Sequence, residues 1–161
     1  MIKIFPKAMP IVSDAKFNDT RTHRYILIRI WDDKKPKLMI IGLNPSIANE
    51  KTNDNTINKV IKIAKNKGFG GVYMANLFSY ITPHPASLIV GSNNRKNDSF
   101  LKKYEAKSEK VVFAWGNFKE AQERAKEVIA IFPKAYCFFK NKNGSPKHPL
   151  YCKDNQQIIV F

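Results

Sequence analysis

The sequence predicts an α/β fold, a mostly parallel sheet with helices on both faces, and three observations carry that expectation. Short, continuous apolar runs recur along the chain, as in strands covered on both sides. The segments between them place apolar residues at helical spacing. Strand and helix also alternate, which implies βαβ crossovers and parallel pairing. In such sheets ligands bind beyond the carboxyl ends of the strands, where the connecting loops converge.

The elements follow in order. The first residues, 1–22, read as an extended arm on a single domain spanning 1–161. "RYILIRIW" (Arg24–Trp31) alternates and is rich in isoleucine, so it reads as a half-exposed strand, with "DDKKPK" as the turn after it. "LMIIGL" (Leu38–Leu43) is a buried strand. "NDNTINKVIKIAKNKGFGG" places Ile57, Val60, Ile61 and Ala64 on one helical stripe, with Asp54 or Asn55 as N-cap and Gly68 as the stop. "GVYMANLF" (Gly71–Phe78) is the next buried strand, and "SYITPHPASL" the loop after it. Asn97–Tyr104 forms a short helix, and "KVVFAWG" (Lys110–Gly116) a third buried strand. "NFKEAQERAKEVIAIF" aligns Phe118, Ala121, Ala125, Val128, Ile129 and Phe132 on a helix. "AYCFF" (Ala135–Phe139) is a fourth strand, followed by the polar loop "KNKNGSPKHPLYC".

The 161 residues carry 28 Lys+Arg against 13 Asp+Glu, a formal net charge of +15. A field of that sign favours polyanions, nucleic acid above all. A solubilising surface in a lysine-rich composition is the alternative. Cys137 sits in an apolar run and reads as a buried hydrophobe, Cys152 lies in a polar tail, and no CxxC spacing is present. Structural zinc and redox chemistry are therefore not expected, nor any cofactor. No stretch approaches the roughly 20 apolar residues that cross a bilayer, and the prolines and lysines of the first residues do not make a signal peptide. A cytoplasmic protein with no membrane association and no obligate protein partner is expected. The GxGxxG, GxxxxGK[ST] and GxSxG patterns are absent, which speaks against a dinucleotide oxidoreductase, a P-loop ATPase and a nucleophilic serine hydrolase.

Each buried strand ends in polar or special residues: Asn44-Pro45-Ser46, Asn76, Trp115-Gly116-Asn117, and Lys147-His148-Pro149 beyond the last. Asn44 and Asn76 each offer an amide donor and acceptor to a base. Asparagine before proline is also a common turn starter, and Asn76, inside an apolar run, needs partners of some kind. His148 suits oxyanion stabilisation or acid/base work, or is a solvated loop histidine; His84 is a weaker case of the same kind. His23 beside Arg21 and Arg24 reads as a solvated basic cluster. Asp54 either activates a water or caps a helix. Tyr73, Phe78, Tyr80, Trp115 and Tyr151 offer rings for stacking or for the core. Lys51, Arg95, Lys96, Lys140, Lys142 and Lys147 lie in the connections, where they suit phosphate contacts.

The motifs "RYILIRIW", "GLNPSIA", "NDNTI", "GFGGVYMANLF", "AWG" and "GSPKHPLY" resemble, from Arg24 to Tyr151, the bacterial and phage family known as domain of unknown function sixteen-forty-three. More distantly, "GLNPS" is similar to the Gly-x-Asn-Pro-Gly motif of mismatch-specific uracil/thymine DNA glycosylases. "VVFAWGNFKEA" and "HPLY" are similar to the Trp-Gly strand and the His-Pro loop of the uracil-DNA glycosylase superfamily. This likeness implies a three-layer α/β/α sandwich with a short, mostly parallel sheet. It also implies a glycosylase-like protein acting on a uracil-like, mismatched or modified base in DNA.

Carried over, Asn44 holds the attacking water, Asn76 reads the flipped base and His148 stabilises the departing base, with Asp54 the available carboxylate. Gly42, Pro45, Ser46, Phe78, Trp115, Gly116 and Pro149 shape the base pocket. Ser46 replaces the motif's last glycine, and the carboxylate-bearing motif of the fastest uracil enzymes is absent. A non-catalytic nucleic-acid or nucleotide-binding module on the same fold is the alternative, and an enzyme of free nucleosides or nucleotides a third.

Overall fold

The computed structural model describes residues 11–88 and 94–161, which form one seven-stranded mixed sheet and three α-helices. The strands are β1 (Val12–Phe17), β2 (Arg24–Ile30), β3 (Lys37–Gly42), β4 (Gly71–Asn76), β5 (Lys110–Phe113), β6 (Tyr136–Cys137) and β7 (Ile159–Val160). The helices are α1 (Asn55–Asn66), α2 (Asn94–Glu105) and α3 (Gln122–Ile131). The strands lie in the order β1-β2-β4-β3-β5-β6-β7.

Only the centre is parallel: β3 pairs in parallel with β4 and β5, and β5 with β6. The pairings β1/β2, β2/β4 and β6/β7 are antiparallel. The sheet is thus mixed, not mostly parallel as the strand–helix alternation suggested, because β2 reaches β4 without a helical crossover between β1 and β2 or between β2 and β3. β7 was not expected: it is two residues long and owes its place to pairing with β6.

The central strands bury both faces, as their uninterrupted apolar runs require. Leu38, Ile40, Val72, Met74 and Val112 meet Ile57, Val60, Ile63 and Ala64 of α1. Met39, Ile41, Tyr73, Ala75, Val111 and Phe113 meet Leu101 and Tyr104 of α2 and Ala125 and Val128 of α3. Consecutive strand residues point to opposite faces, so one sequence feeds two cores. Asp54 caps α1 by accepting a hydrogen bond from the Ile57 N–H at 2.9 Å, which satisfies one of the otherwise orphaned donors of the first turn. After the last turn Gly68 takes φ 82°, a left-handed conformation that glycine adopts without steric cost.

Three local expectations change. β2 is an interior strand, buried from Arg24 to Arg29, not half exposed. Its two arginines, Arg24 and Arg29, hydrogen-bond to the chain folded over them. Arg29 donates from Nε to Asn53 Oδ1 at 2.9 Å and to the carbonyls of Asn49 and Thr52. The long helix expected after Trp115 starts as a 3₁₀ turn at Lys119–Ala121 and becomes α-helical only at Gln122. The "AYCFF" strand shrinks to Tyr136–Cys137. The N-terminal segment is extended over Val12–Phe17 and pairs with β2 as the sheet edge; residues 1–10 of the expected arm lie outside the described residues.

Candidate functional site

The strand order switches direction at β3, with β4 added on one side and β5 on the other, so the loops leaving β3 and β5 part and open a crevice at the carboxyl rim. A pocket of about 230 Å³ lies there, smaller than the roughly 300–1,000 Å³ of sites for drug-sized ligands and suited to one small ring or polar group. Its wall includes Gly42, Asn44, Pro45 and Ser46 from the end of β3, Asp54 at the start of α1, Asn76 from the end of β4, and His148.

Asn44 is anchored by its amide nitrogen, which donates to the carbonyls of Thr82 at 2.8 Å and Pro45 at 3.1 Å. Carbonyls can only accept, so these contacts fix which way the amide faces. They leave Oδ1 as the atom available to accept a hydrogen bond from a ligand or water. The turn-forming and ligand-holding readings of Asn44 are therefore compatible: one end of the amide ties the loop down and the other remains free for chemistry.

Asn76 closes β4 at 2 % exposure, and its Nδ2 is buried with no hydrogen-bond partner. Such a donor is costly to leave unmade. Gly42, beside it across the parallel ladder, makes room for it. A Cβ at Gly42 would lie 2.9 Å from Asn76 Oδ1 and 2.8 Å from Met74 Cε, closer than real contacts allow.

His148 precedes the 3₁₀ turn Pro149–Tyr151, and its Nδ1 accepts the Leu150 N–H at 3.2 Å. That bond needs the lone pair on Nδ1, which puts the proton of the neutral ring on Nε2. Burial pushes the imidazole pKa below its ordinary value, partly opposed by the negative charge of Asp54. At neutral pH the ring is a neutral donor. Gly116 lies behind it: at φ 77° it donates its N–H to the Pro146 carbonyl at 2.9 Å, and a Cβ there would meet His148 Cβ at 3.2 Å.

Other expected site residues fall elsewhere. Phe78 is core, at 1 % exposure, and Trp115 is core against Phe113 and Phe161. Pro149 is buried in the turn after His148, and neither it nor Gly116 lines the pocket. Tyr73 is likewise a core ring tilted against Tyr104, whereas Tyr151 is exposed beside His148. Lys51, Arg95, Lys96, Lys140 and Lys142 are exposed. Lys147 lines a neighbouring cleft of about 410 Å³ that shares Phe118 and His148 with the pocket. His84 is exposed and does not line the pocket.

Two corrections concern burial. His23 is not part of a solvated basic cluster: it is buried, hydrogen-bonded to Ser79 Oγ at 2.8 Å and stacked on Tyr25. Cys152, read as part of a polar tail, is buried against the α1 core, and burial raises its thiol pKa to about 11. Cys137 is the buried hydrophobe its setting suggested. Among the described residues no group of three His, Cys, Asp or Glu side chains could hold a metal ion, and no helix is long and apolar enough to cross a membrane.

Sequence reasoning missed Arg24, Thr82 and Phe118, which also line the pocket. Arg24 is the most consequential. It is 2 % exposed, donates from Nη1 to the Ala48 carbonyl at 2.8 Å, and has a buried Nε with no partner. Desolvation lowers its pKa to about 10, with Arg29 adding to the shift and Asp54 opposing it. Its aim comes from a register shift. Lys16 pairs with Ile26 but Phe17 pairs with Arg24, so Tyr25 is one additional residue in β2. Tyr25 then joins Ile26 on the α2 face, stacked on Phe100 at 4.7 Å. Arg24 turns instead to the α1 face, where Ala48 and Asp54 are. Bulges re-aim side chains in this way.

No curated protein and no solved structure matches the chain. The model of the family described as "Protein of unknown function (DUF1643)" matches residues 24–150, a span that holds every residue lining the pocket, and the chain belongs to that family.

Proposed function

We propose that the protein is a DNA glycosylase-like enzyme that releases a uracil-like, mismatched or modified base, on a three-layer fold similar to that of the uracil-DNA glycosylases. The observation that carries the reading is the convergence of Asn44, Asp54, Asn76 and His148 on one pocket with room for about one ring. Breaking the C1′–N bond leaves its electron pair on the base and positive charge on the sugar, so the site must favour an anionic leaving group and a water opposite it. The Nε2–H of His148 is a neutral donor for the charge developing on the base. Asn44 Oδ1 accepts a hydrogen bond from the attacking water, whose oxygen bonds C1′ while its proton passes to the Asp54 carboxylate. Asn76 reads the base edge. The basic residues Lys51, Lys140, Lys142 and Lys147 on loops, with Arg95 and Lys96 in the first turn of α2 rather than in a loop, supply contacts for the DNA backbone, and binding weakens with salt.

A second reading, a module that binds nucleotides or nucleic acid without cleavage, is favoured by one observation: Asp54 already spends Oδ1 on capping α1. An abasic-site assay separates the two. Single- and double-stranded oligonucleotides carrying uracil, mismatched thymine, hypoxanthine or hydroxymethylated bases are incubated with the protein and treated with alkali. Strand cleavage that falls at least 100-fold in Asn44→Ala supports the glycosylase. Salt-sensitive binding without cleavage on any substrate rejects it in favour of the module. Turnover of free nucleosides alone selects an enzyme of the monomeric substrates.

A further inference from the structure

We propose that the ligand of this pocket carries an anionic oxygen group, received by the Arg24 guanidinium together with the Nδ2 of Asn76. The inference rests on the pocket being the ligand site, and not on which bond, if any, is broken there.

A buried charge is ordinarily paired. Among the described residues Arg24 joins no ion pair, and its one side-chain hydrogen bond there is to the Ala48 carbonyl. The neighbouring donor, Asn76 Nδ2, is also buried and unpartnered. Both side chains line the same pocket, and both are 2 % exposed. The α1 N-terminus borders it through Thr56 and Ile57, adding the positive end of a twelve-residue helix. The Nε2–H of His148 is a further donor on the wall.

One of these donors is a full positive charge withdrawn from water, and Asp54, the carboxylate on the same wall, acts on it through space without forming an ion pair. A neutral base would leave that charge without an ion-pair partner. An oxyanion would accept from Arg24 Nε and Asn76 Nδ2 and offset the desolvation of the guanidinium. The bulge at Tyr25 strengthens the case. Regular alternation would have turned Arg24 to the opposite face, so the chain departs from its ladder at the one place that delivers a cation to the pocket.

The anionic group is either a phosphate or a carboxylate on the ring, and one titration series distinguishes them. Wild-type protein is titrated calorimetrically and by thermal shift with inorganic phosphate, deoxyuridine monophosphate and orotate, against uracil, deoxyuridine and chloride at matched ionic strength. At least one oxyanion is expected to bind and raise Tm beyond chloride. Binding of phosphate and the nucleotide identifies a phosphate-bearing ligand, and binding of orotate alone a carboxylated ring.

Arg24→Gln is expected to weaken that oxyanion at least tenfold while leaving uracil unchanged. In low-salt buffer without ligand the variant should melt at or above the wild-type temperature. A strongly lowered Tm with unchanged anion affinity marks Arg24 as structural and overturns the inference. Asn76→Ala, expected to weaken the same anion several-fold, decides if Arg24→Gln does not fold. No oxyanion effect on the wild type overturns the inference outright. Oxyanion binding without base release rejects the glycosylase and keeps the inference. Base release that Arg24→Gln leaves intact, with no oxyanion binding, does the reverse.

Discussion

Arg24 and Arg124 are buried to the same degree, each 2 % exposed, yet their surroundings differ in every other respect. Arg124, on α3, donates from Nε to the Leu77 carbonyl at 3.0 Å, from Nη1 to Glu127 at 2.7 Å, and from Nη2 to Asp98 of α2. It ties both helices to the chain leaving β4, and its charge is neutralised twice over. Arg24 has one carbonyl and no carboxylate partner among the described residues. A buried arginine with all its partners inside the fold is a staple; one left short of partners at the wall of a pocket is a receptor. Burial alone does not tell them apart, and the hydrogen-bond inventory does.

The comparison breaks most readily at Arg124. Arg124→Met should destabilise the protein by about 3 kcal/mol, because it removes the charge-assisted bond from Asp98 of α2 to α3 and one of the two side-chain donors to the Leu77 carbonyl, as read by urea unfolding. A loss no greater than that of Arg24→Gln would erase the distinction between the two arginines. Gly42→Ala should have a smaller effect on stability, about 1–3 kcal/mol for the overpacked contact. Its Cβ must displace the side chains of Asn76 and Met74, so ligand affinity at the pocket should fall more than Tm does. An unchanged site would mean that Asn76 does not need its present position.

The smallest effect concerns pH. His148 and His23 both have pKa values lowered by burial. Their folded forms bind a proton less readily than the unfolded chain, whose histidines titrate near pH ~6.5. Stability from these groups is complete above that pH and is lost as pH falls through their lowered folded values. Tm should therefore decline on acidification from pH 7 to 5, and His148→Gln should make the decline shallower. An identical pH profile in the variant would place His148 in a better-solvated setting than its burial implies.

Local patterns made much of the architecture legible. Leu38–Leu43 is apolar without a break and Gly71–Phe78 is interrupted only by Asn76, and such runs belong inside a sheet. The Asp54 cap and the Gly68 stop bound α1 by short-range chemistry alone. What escaped reading depends on distant partners. The antiparallel neighbours of the central strands cannot be told from their own sequences, and β7 exists only because β6 is there to pair with it. At the site, Asn44, Asp54, Asn76 and His148 were visible as polar residues at strand or loop ends. Arg24 was not, because beside Arg21 and His23 it reads as part of a solvated basic cluster, and only the register shift reveals where it points. Thr82 was hidden for a similar reason: its contribution to Asn44 is a backbone carbonyl, which side-chain identity does not announce.

The register shift also makes the edge of the sheet answerable for the middle of the molecule. β1 contributes no residue to the pocket wall, yet the misalignment between Lys16 and Phe17 sets the rotation of Arg24. Pairing β1 and β2 without the shift would turn that cation to the other face while leaving the strand order unchanged. Changes in the outermost strand can thus retune the electrostatic preference of a cavity they never touch, so specificity in this fold is adjustable from its periphery.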